Sequence, residues 1–339
     1  MNHLSKNGLV NIGNTCFINA CIQSLYYTND LTYNLLENTK MNNNTHTLSY
    51  QWLSLIKTLT RGNNCIVPHK FLNFIYENSY FEKGEQNDCV EFIRYFIDKM
   101  NTEMSYDFSI TLGNQHIHLQ NNNENYIKVY KKSFDIWNRN FNNKRSILSD
   151  LFYGQTITQI ICDNCKKITH NFEVFNDIIV SIDREDKDIH DCLKRYFNRE
   201  VLNTHTDNVW KCDKCNTCSE SIKVTYIWKI PKILIICFKR YDKEFRKLNY
   251  LIDFPITTLD MSLYCKGITH KSIKNPIYNL YSAINHYGNY FGGHYNTYCK
   301  NPDTHWYEFD DASIKKIETT NIVSQHSYCL FYKLDENVL

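Results

Sequence analysis

Apolar side chains recur every three or four positions through the first hundred residues. Phe17, Cys21 and Leu25 fall on one face, Leu48, Trp52, Leu55, Ile56 and Leu59 make a second stripe, and Val90, Ile93, Phe96, Ile97 and Met100 a third. That spacing predicts helices with one buried face. Pro68 predicts the first turn of a further helix carrying Phe71 and Ile75, because the missing N–H of proline costs nothing there. Residues 101–125 hold little pattern and include the run NNNEN, which predicts a loop or insertion. An amphipathic stretch follows from Tyr126 to Phe141.

After Ser149 the period shortens. TITQII, FNDIIVSI, IKVTYIWKI, YNLYSAI and YCLFYKL, within 155–182, 220–241 and 277–334, are β-branched and aromatic runs of strand length. The longest apolar run, Ile233–Phe238, reads as a buried strand and falls far below the ~20 residues of a membrane-spanning helix. Helices first and strands later predict an α+β fold, with no repeat of fixed period.

Composition narrows the partners. The chain of 339 residues carries a formal net charge of +2, so no basic field points to nucleic acid and no acidic tail to solvation. The opening MNHLSKNGLV has no apolar core and no small-residue cleavage site, which predicts a cytoplasmic or nuclear protein without a membrane segment. In such a reducing compartment the 14 cysteines are expected as thiols, metal ligands or catalytic groups. Cys65, Cys192, Cys237, Cys265, Cys299 and Cys329 stand singly and read as ordinary thiols.

Four cysteines do cluster. Cys162-Asp-Asn-Cys165 and Cys212-Asp-Lys-Cys215 are two C-x-x-C knuckles flanked by strand-like sequence, the pattern of a structural tetrahedral zinc site. The alternative is a pair of dithiols or a redox C-x-x-C. Cys218 extends the second knuckle and could substitute as a ligand. A closed four-thiolate site leaves no open position, so the chemistry must lie elsewhere.

The segment GLVNIGNTCFINAC places Cys16 where a glycine- and asparagine-rich loop meets a helical pattern. A cysteine at a helix start sees unpaired N–H groups and the positive end of the helix dipole, which favours its thiolate. Gly8 and Gly13 allow tight turns, and the Asn11 amide can point toward the same place to stabilise an oxyanion. Far downstream, Gly292 and Gly293 permit close backbone approach beside His294, and Tyr295–Cys299 reads as a strand paired with Trp306–Asp310. Such a hairpin sets Asp310 or Asp311 beside His294. Thiolate, imidazole base and orienting carboxylate together make a nucleophilic triad.

These boxes, GLVNIGNTCFINACIQSL and YFGGHY with WYEFDD, resemble the Cys and His boxes of the ubiquitin-specific proteases, and the likeness runs in order over residues 6–334. Between them, the stretch from Gly84 to Glu91 resembles the family's Gln-Gln-Asp-x-x-Glu helix, while the knuckles and IPKILIICFKRY resemble its zinc-bearing fingers and their return into the palm. The resemblance implies a papain-like fold in one catalytic domain over 1–339: a helical thumb to about 150, zinc-ribbon fingers over 151–230 and a β-rich palm over 231–339. It implies Cys16 as nucleophile, His294 as base, Asp310 as its orienter, Asn11 as oxyanion donor and Asp311 assisting there. It also implies that Gln86, Asp88, Glu91, His286, Gly292, Gly293 and Tyr295 line the path of the ubiquitin tail. Phe17, Ile18, Cys21 and Asn87 depart from the family's usual residues without removing a triad member. The expected activity is thiol-dependent removal of ubiquitin from proteins or chains, with structural zinc as cofactor and ubiquitin and ubiquitinated proteins as partners. The alternatives are the same reaction on a ubiquitin-like modifier, or a silent ubiquitin-binding module.

Overall fold

The computed structural model describes residues 4–37, 44–62, 65–108, 124–203, 209–266 and 275–336. Most of the loop expected over 101–125 lies outside them.

Helices dominate to residue 151: Cys16–Tyr26, Asn29–Glu37, Leu48–Arg61, His69–Asn78, Cys89–Met104, Glu124–Asn140 and Ile147–Leu151. Pro68 stands at the cap of its helix rather than in the first turn. The Cys16–Tyr26 helix departs most from its one-faced reading, because all of its residues are buried. It runs between the other helices and a large sheet, contacting Cys89–Met104 on one side and Gly292–Lys300 on the other. Its amide and serine side chains find partners inside the protein for their donors: Gln23 Nε2 donates to the Asn7 carbonyl at 2.7 Å and Ser24 Oγ to the Ala20 carbonyl at 3.0 Å, whereas Asn19 Oδ1 and Gln23 Oε1 are buried without one.

The large sheet orders its strands Ser313–Ile317, Trp306–Asp310, Gly292–Lys300, Ile277–Asn289, Ser327–Leu334, Ile233–Lys239 and Ile178–Ser181, with Leu259–Asp260 pairing at the side. Its core position explains the apolar run 233–238. Ile233, Ile235 and Cys237 pack into the core shared with the helices, while Leu234, Ile236 and Phe238 pack into a second core on the opposite face. A strand covered on both faces reads as continuous apolar sequence. That second core includes Ile189–Tyr196, a helix the sequence pattern left unread, which is capped by the Asp188 carboxylate.

A second sheet of four strands, Ile168–Phe175, Gly154–Cys162, Ser221–Lys229 and Glu200–Leu202, projects from this body. Its own buried cluster is small: Ile157, Phe172 and Trp228. Within 151–230, residues 178–197 leave this sheet and join the large one and its outer core.

Candidate active site

One side chain organises the loop before Cys16. Asn11 Oδ1 accepts from Gly13 N at 3.2 Å, Thr15 N at 3.1 Å and Thr15 Oγ1 at 3.3 Å. Gly13 and Asn14 take left-handed backbone (φ 103° and 55°), which glycine and asparagine tolerate. The loop delivers Cys16 as the first helical residue, among the unpaired N–H groups of the helix start, and leaves it only 4% exposed. With its oxygen committed, Asn11 turns its NH₂ outward and donates to Asp311 Oδ2 at 2.9 Å. Asp311 Oδ1 accepts from Asn19 on the same helix at 2.8 Å, and its carbonyl accepts from Leu9 N at 2.8 Å. Gly8 sits at this junction, where a Cβ would strike the Ala312 backbone. Its requirement is therefore close approach to the downstream hairpin, not a turn.

The hairpin register places the base. Thr297 pairs with Phe309, so the next position outward sets Asn296 against Asp310. His294 shares a face with Asn296 and reaches Asp310 as a diagonal neighbour. His294 Nε2 lies 2.5 Å from Asp310 Oδ1, which leaves the other ring nitrogen for the Cys16 side. The imidazole is pushed up to about 9, first by its hydrogen bond with the Cys16 sulfur and then by Asp310, against the opposing effect of burial. One ring nitrogen of His294 and one carboxylate oxygen from each of Asp310 and Asp311 lie within 4.8 Å of one another.

Beside Cys16 a cleft of about 360 Å³ is lined by every residue expected along the tail path: Gln86, Asp88, Glu91, His286, Gly292, Gly293 and Tyr295. Asp88 caps the Cys89–Met104 helix by accepting from Val90 N at 2.6 Å, and Tyr328 donates its hydroxyl to the same carboxylate. Glu91 stands exposed in the first turn. Gln86 bridges the cleft: its Oε1 accepts from Gly293 N at 2.9 Å and its Nε2 donates to Gly293 O at 3.3 Å. A Cβ at Gly293 would collide with the His286 ring and the Tyr287 carbonyl, whereas at Gly292 it would meet only the Gln86 side chain. Close approach thus concerns Gly293 alone of the pair.

His286 is a buried wall rather than an open contact. Its Nδ1 faces the Tyr241 hydroxyl at 3.2 Å and the Lys247 ammonium at 3.0 Å. Burial, followed by Lys247, pushes it down to about 4, so the neutral ring accepts here. Asn19, Tyr328, Tyr241 and Lys247 are the members of this network that the pattern did not single out. Only Asn19 left a trace, a polar residue inside a run that folds into complete burial. Tyr328, Tyr241 and Lys247 sit in sequence no different from ordinary strand and turn.

The four clustered cysteines meet at the far end of the small sheet. Cys162 Sγ lies 3.7 Å from Cys215 Sγ and Cys165 Sγ 3.6 Å from Cys212 Sγ, and all four lie within 4.8 Å. Sulfurs about 2.3 Å from a tetrahedral ion stand roughly 3.8 Å apart, so the set is compatible with zinc. The knuckles are built alike: Lys166 N returns to the Cys162 carbonyl at 2.9 Å and Asn216 N to the Cys212 carbonyl at 2.8 Å, with Lys166 and Asn216 left-handed. Cys218 is exposed and stands outside the group.

A helix-start cysteine and a strand-borne histidine with its carboxylate thus meet beside one cleft, the arrangement of a thiol-nucleophile site. The family described as ubiquitin carboxyl-terminal hydrolase matches residues 7–332, and the chain belongs to it. Ubiquitin carboxyl-terminal hydrolase 2 of Homo sapiens is 29% identical over 355 residues, covering 98% of this chain and 56% of that protein. The Gallus gallus protein of the same name is 30% identical over 343 residues, covering 96% and 93%. The chain spans about half the length of its mammalian relatives. Yeast Ubp8, solved in the SAGA DUB module bound to monoubiquitin, superposes with a TM-score of 0.75 at 22% identity over 99% of this chain and 71% of that one. The fold is thus the α+β fold of this family. No helix among the described residues is long and apolar enough to cross a membrane.

Proposed function

We propose that the chain is a cysteine-type deubiquitinase that hydrolyses the bond after the C-terminal glycine of ubiquitin, releasing it from protein conjugates or chains. The observation that carries this reading is the convergence of Cys16, His294 and Asp310 at the end of one cleft walled by Gly293, Asp88 and Glu91. The Cys16 sulfur attacks the carbonyl, and the Asn11 NH₂ and neighbouring backbone N–H groups receive the developing oxyanion. Asp311 holds Asn11 in place. His294, oriented by Asp310, gives its proton to the leaving amine and then activates water to hydrolyse the thioester. An extended tail ending in Gly-Gly suits so narrow a path, and the Asp88 and Glu91 carboxylates suit a basic one. The bridge from Gln86 to Gly293 occupies backbone groups that such a tail would use, so tail entry displaces it. Ubiquitin and ubiquitinated proteins are the proposed partners, and the free state of the cysteines suits a reducing cytoplasmic or nuclear setting.

The helical part, the small sheet and the large sheet are proposed as thumb, fingers and palm, with boundaries near residues 150 and 230. Cys162, Cys165, Cys212 and Cys215 would hold a structural zinc, which supplies a cross-link between the two knuckles and no catalytic step. About one zinc per chain is expected by elemental analysis. A ubiquitin probe bearing a C-terminal electrophile should label the protein at Cys16 and fail to label Cys16→Ala. Labelling of that variant at another cysteine, or no turnover of a fluorogenic ubiquitin substrate by the native chain, would overturn the assignment. Parallel probes built on ubiquitin-like modifiers decide which modifier is preferred.

A further inference from the structure

Away from the catalytic cleft, a cavity of about 290 Å³ opens where the Glu124–Asn140 helix meets the base of the small sheet. Tyr130, Phe134 and Trp137 line it from the helix, at i, i+4 and i+7, and Trp228 lines it from the sheet. Aromatic walls of this kind accept a planar body. The charges beside them are unbalanced. Lys144, Arg145 and Lys229 reach the cavity, and Asp150 is its one carboxylate. Arg145 Nε holds both Asp150 oxygens, at 2.8 and 2.9 Å. Lys229 has no carboxylate within ion-pair distance among the described residues; its ammonium rests on the face of Trp137, 3.2 Å from the ring centre. An ion–aromatic contact returns less than an ammonium loses when it is taken out of water. Burial accordingly pushes Lys229 down to about 8, with Asp150 raising it only from a distance and Arg145 lowering it further.

We infer that this cavity is a binding site for a small organic anion with a planar aromatic body, the ring lying among Tyr130, Phe134, Trp137 and Trp228 and the anionic group meeting Lys229 and Arg145. The cavity lies near the lower end of the range for small-molecule sites, which fits one or two fused rings and one acidic group. Its lining shares no residue with the catalytic cleft, so the inference does not depend on the peptidase reading. A lysine that merely sealed the gap would be equally well replaced by methionine, and the test turns on that difference.

Naphthalene-1-sulfonate, its neutral sulfonamide and inorganic sulfate are titrated into the full chain by calorimetry, with tryptophan fluorescence as second readout. The sulfonate should bind at least about tenfold more tightly than either comparator, since only it offers both ring and charge. Lys229→Met should weaken sulfonate binding about tenfold or more, Lys229→Arg should retain it, and Cys16 labelling should be unchanged in both variants. Labelling that persists shows that the variants are folded. Equal binding of sulfonate and sulfonamide, sulfate binding as tight as the sulfonate, undiminished binding by Lys229→Met, or no binding of the sulfonate at millimolar concentration would each overturn the inference.

Discussion

Around Cys16 the chain supplies its own support: a helix buried on every side, a large core shared with the sheet, and hydrogen bonds that run from Asn11 and Asn19 to Asp311. Around the four clustered cysteines it supplies almost none, since the small sheet's buried cluster is Ile157, Phe172 and Trp228. Among the described residues the knuckles meet through their sulfurs and through polar contacts, such as Asp163 N with the Glu220 carbonyl at 3.0 Å and Lys167 Nζ with Asp213 Oδ1 at 2.7 Å. On the proposed function, a site that must hold a reacting geometry is embedded in apolar burial, and a site that only fastens two turns is delegated to a ligand. Below some minimum of buried apolar area a metal replaces core.

Removing the metal should separate the two regions most. With zinc on the four cysteines as proposed, a chelator, or Cys212→Ser, would withdraw a binding free energy of order 10 kcal/mol from the small sheet. Amide exchange should rise over 154–175 and 221–229 while 278–299 stays protected; equal loss in both would break the comparison. Cys16→Ala should do the opposite, costing about 10⁶-fold in turnover, roughly 8 kcal/mol, with exchange unchanged in both sheets. Asp310→Asn should lower kcat by about 10²–10⁴-fold, because the ring loses its orienting charge, and an undiminished kcat would remove Asp310 from the triad. Asp311→Asn keeps a residue that tolerates the left-handed backbone (φ 48°) but removes the charge received by Asn11 and Asn19. Denaturant unfolding should report a loss of about 1–2 kcal/mol.

The smallest effect is the most specific. His294 is raised from its ordinary 6.5 to about 9, so its contribution to stability is complete below about pH 6.5 and fades as pH rises through about 9. Because the ring is about two-fifths exposed, screening should hold the change under about 1 kcal/mol. NMR titration of His294 should return toward 6.5 in Cys16→Ala; an unchanged midpoint would show that the sulfur is not what raises it.

Much of this was written locally in the sequence. The β-branched and aromatic runs of the downstream strands, the helical stripes and the two C-x-x-C turns are short-range patterns, and each maps onto an element or a turn. Cys16 and His294 were legible because each carries glycine in the backbone nearby. What could not be read was the coupling between distant strands and loops. Tyr328 donating to Asp88 spans 240 residues and Lys247 reaching His286 spans 39, and neither leaves a periodicity. The helix at 189–196 escaped notice for a different reason: it is short, and its buried residues are only Ile189, Cys192 and Leu193, fewer than a stripe requires. The complete burial of Cys16–Tyr26 was hidden by its asparagine, glutamine and serine, which look like a solvated face until their partners are known.

Asn11 and Asp311 lie 300 residues apart and join the two ends of the reacting assembly, with Gly8 fitted against Ala312. On the proposed function this seam is also a clock. The nucleophile, Cys16, is translated nearly 300 residues ahead of Asp310 and Asp311, the carboxylates that orient its base and its oxyanion donor. A nascent chain is therefore expected to carry a dormant cysteine until the downstream hairpin has emerged and docked. Ribosome-arrested chains stopped before residue 310 should not react with the ubiquitin electrophile, and chains released beyond residue 334 should.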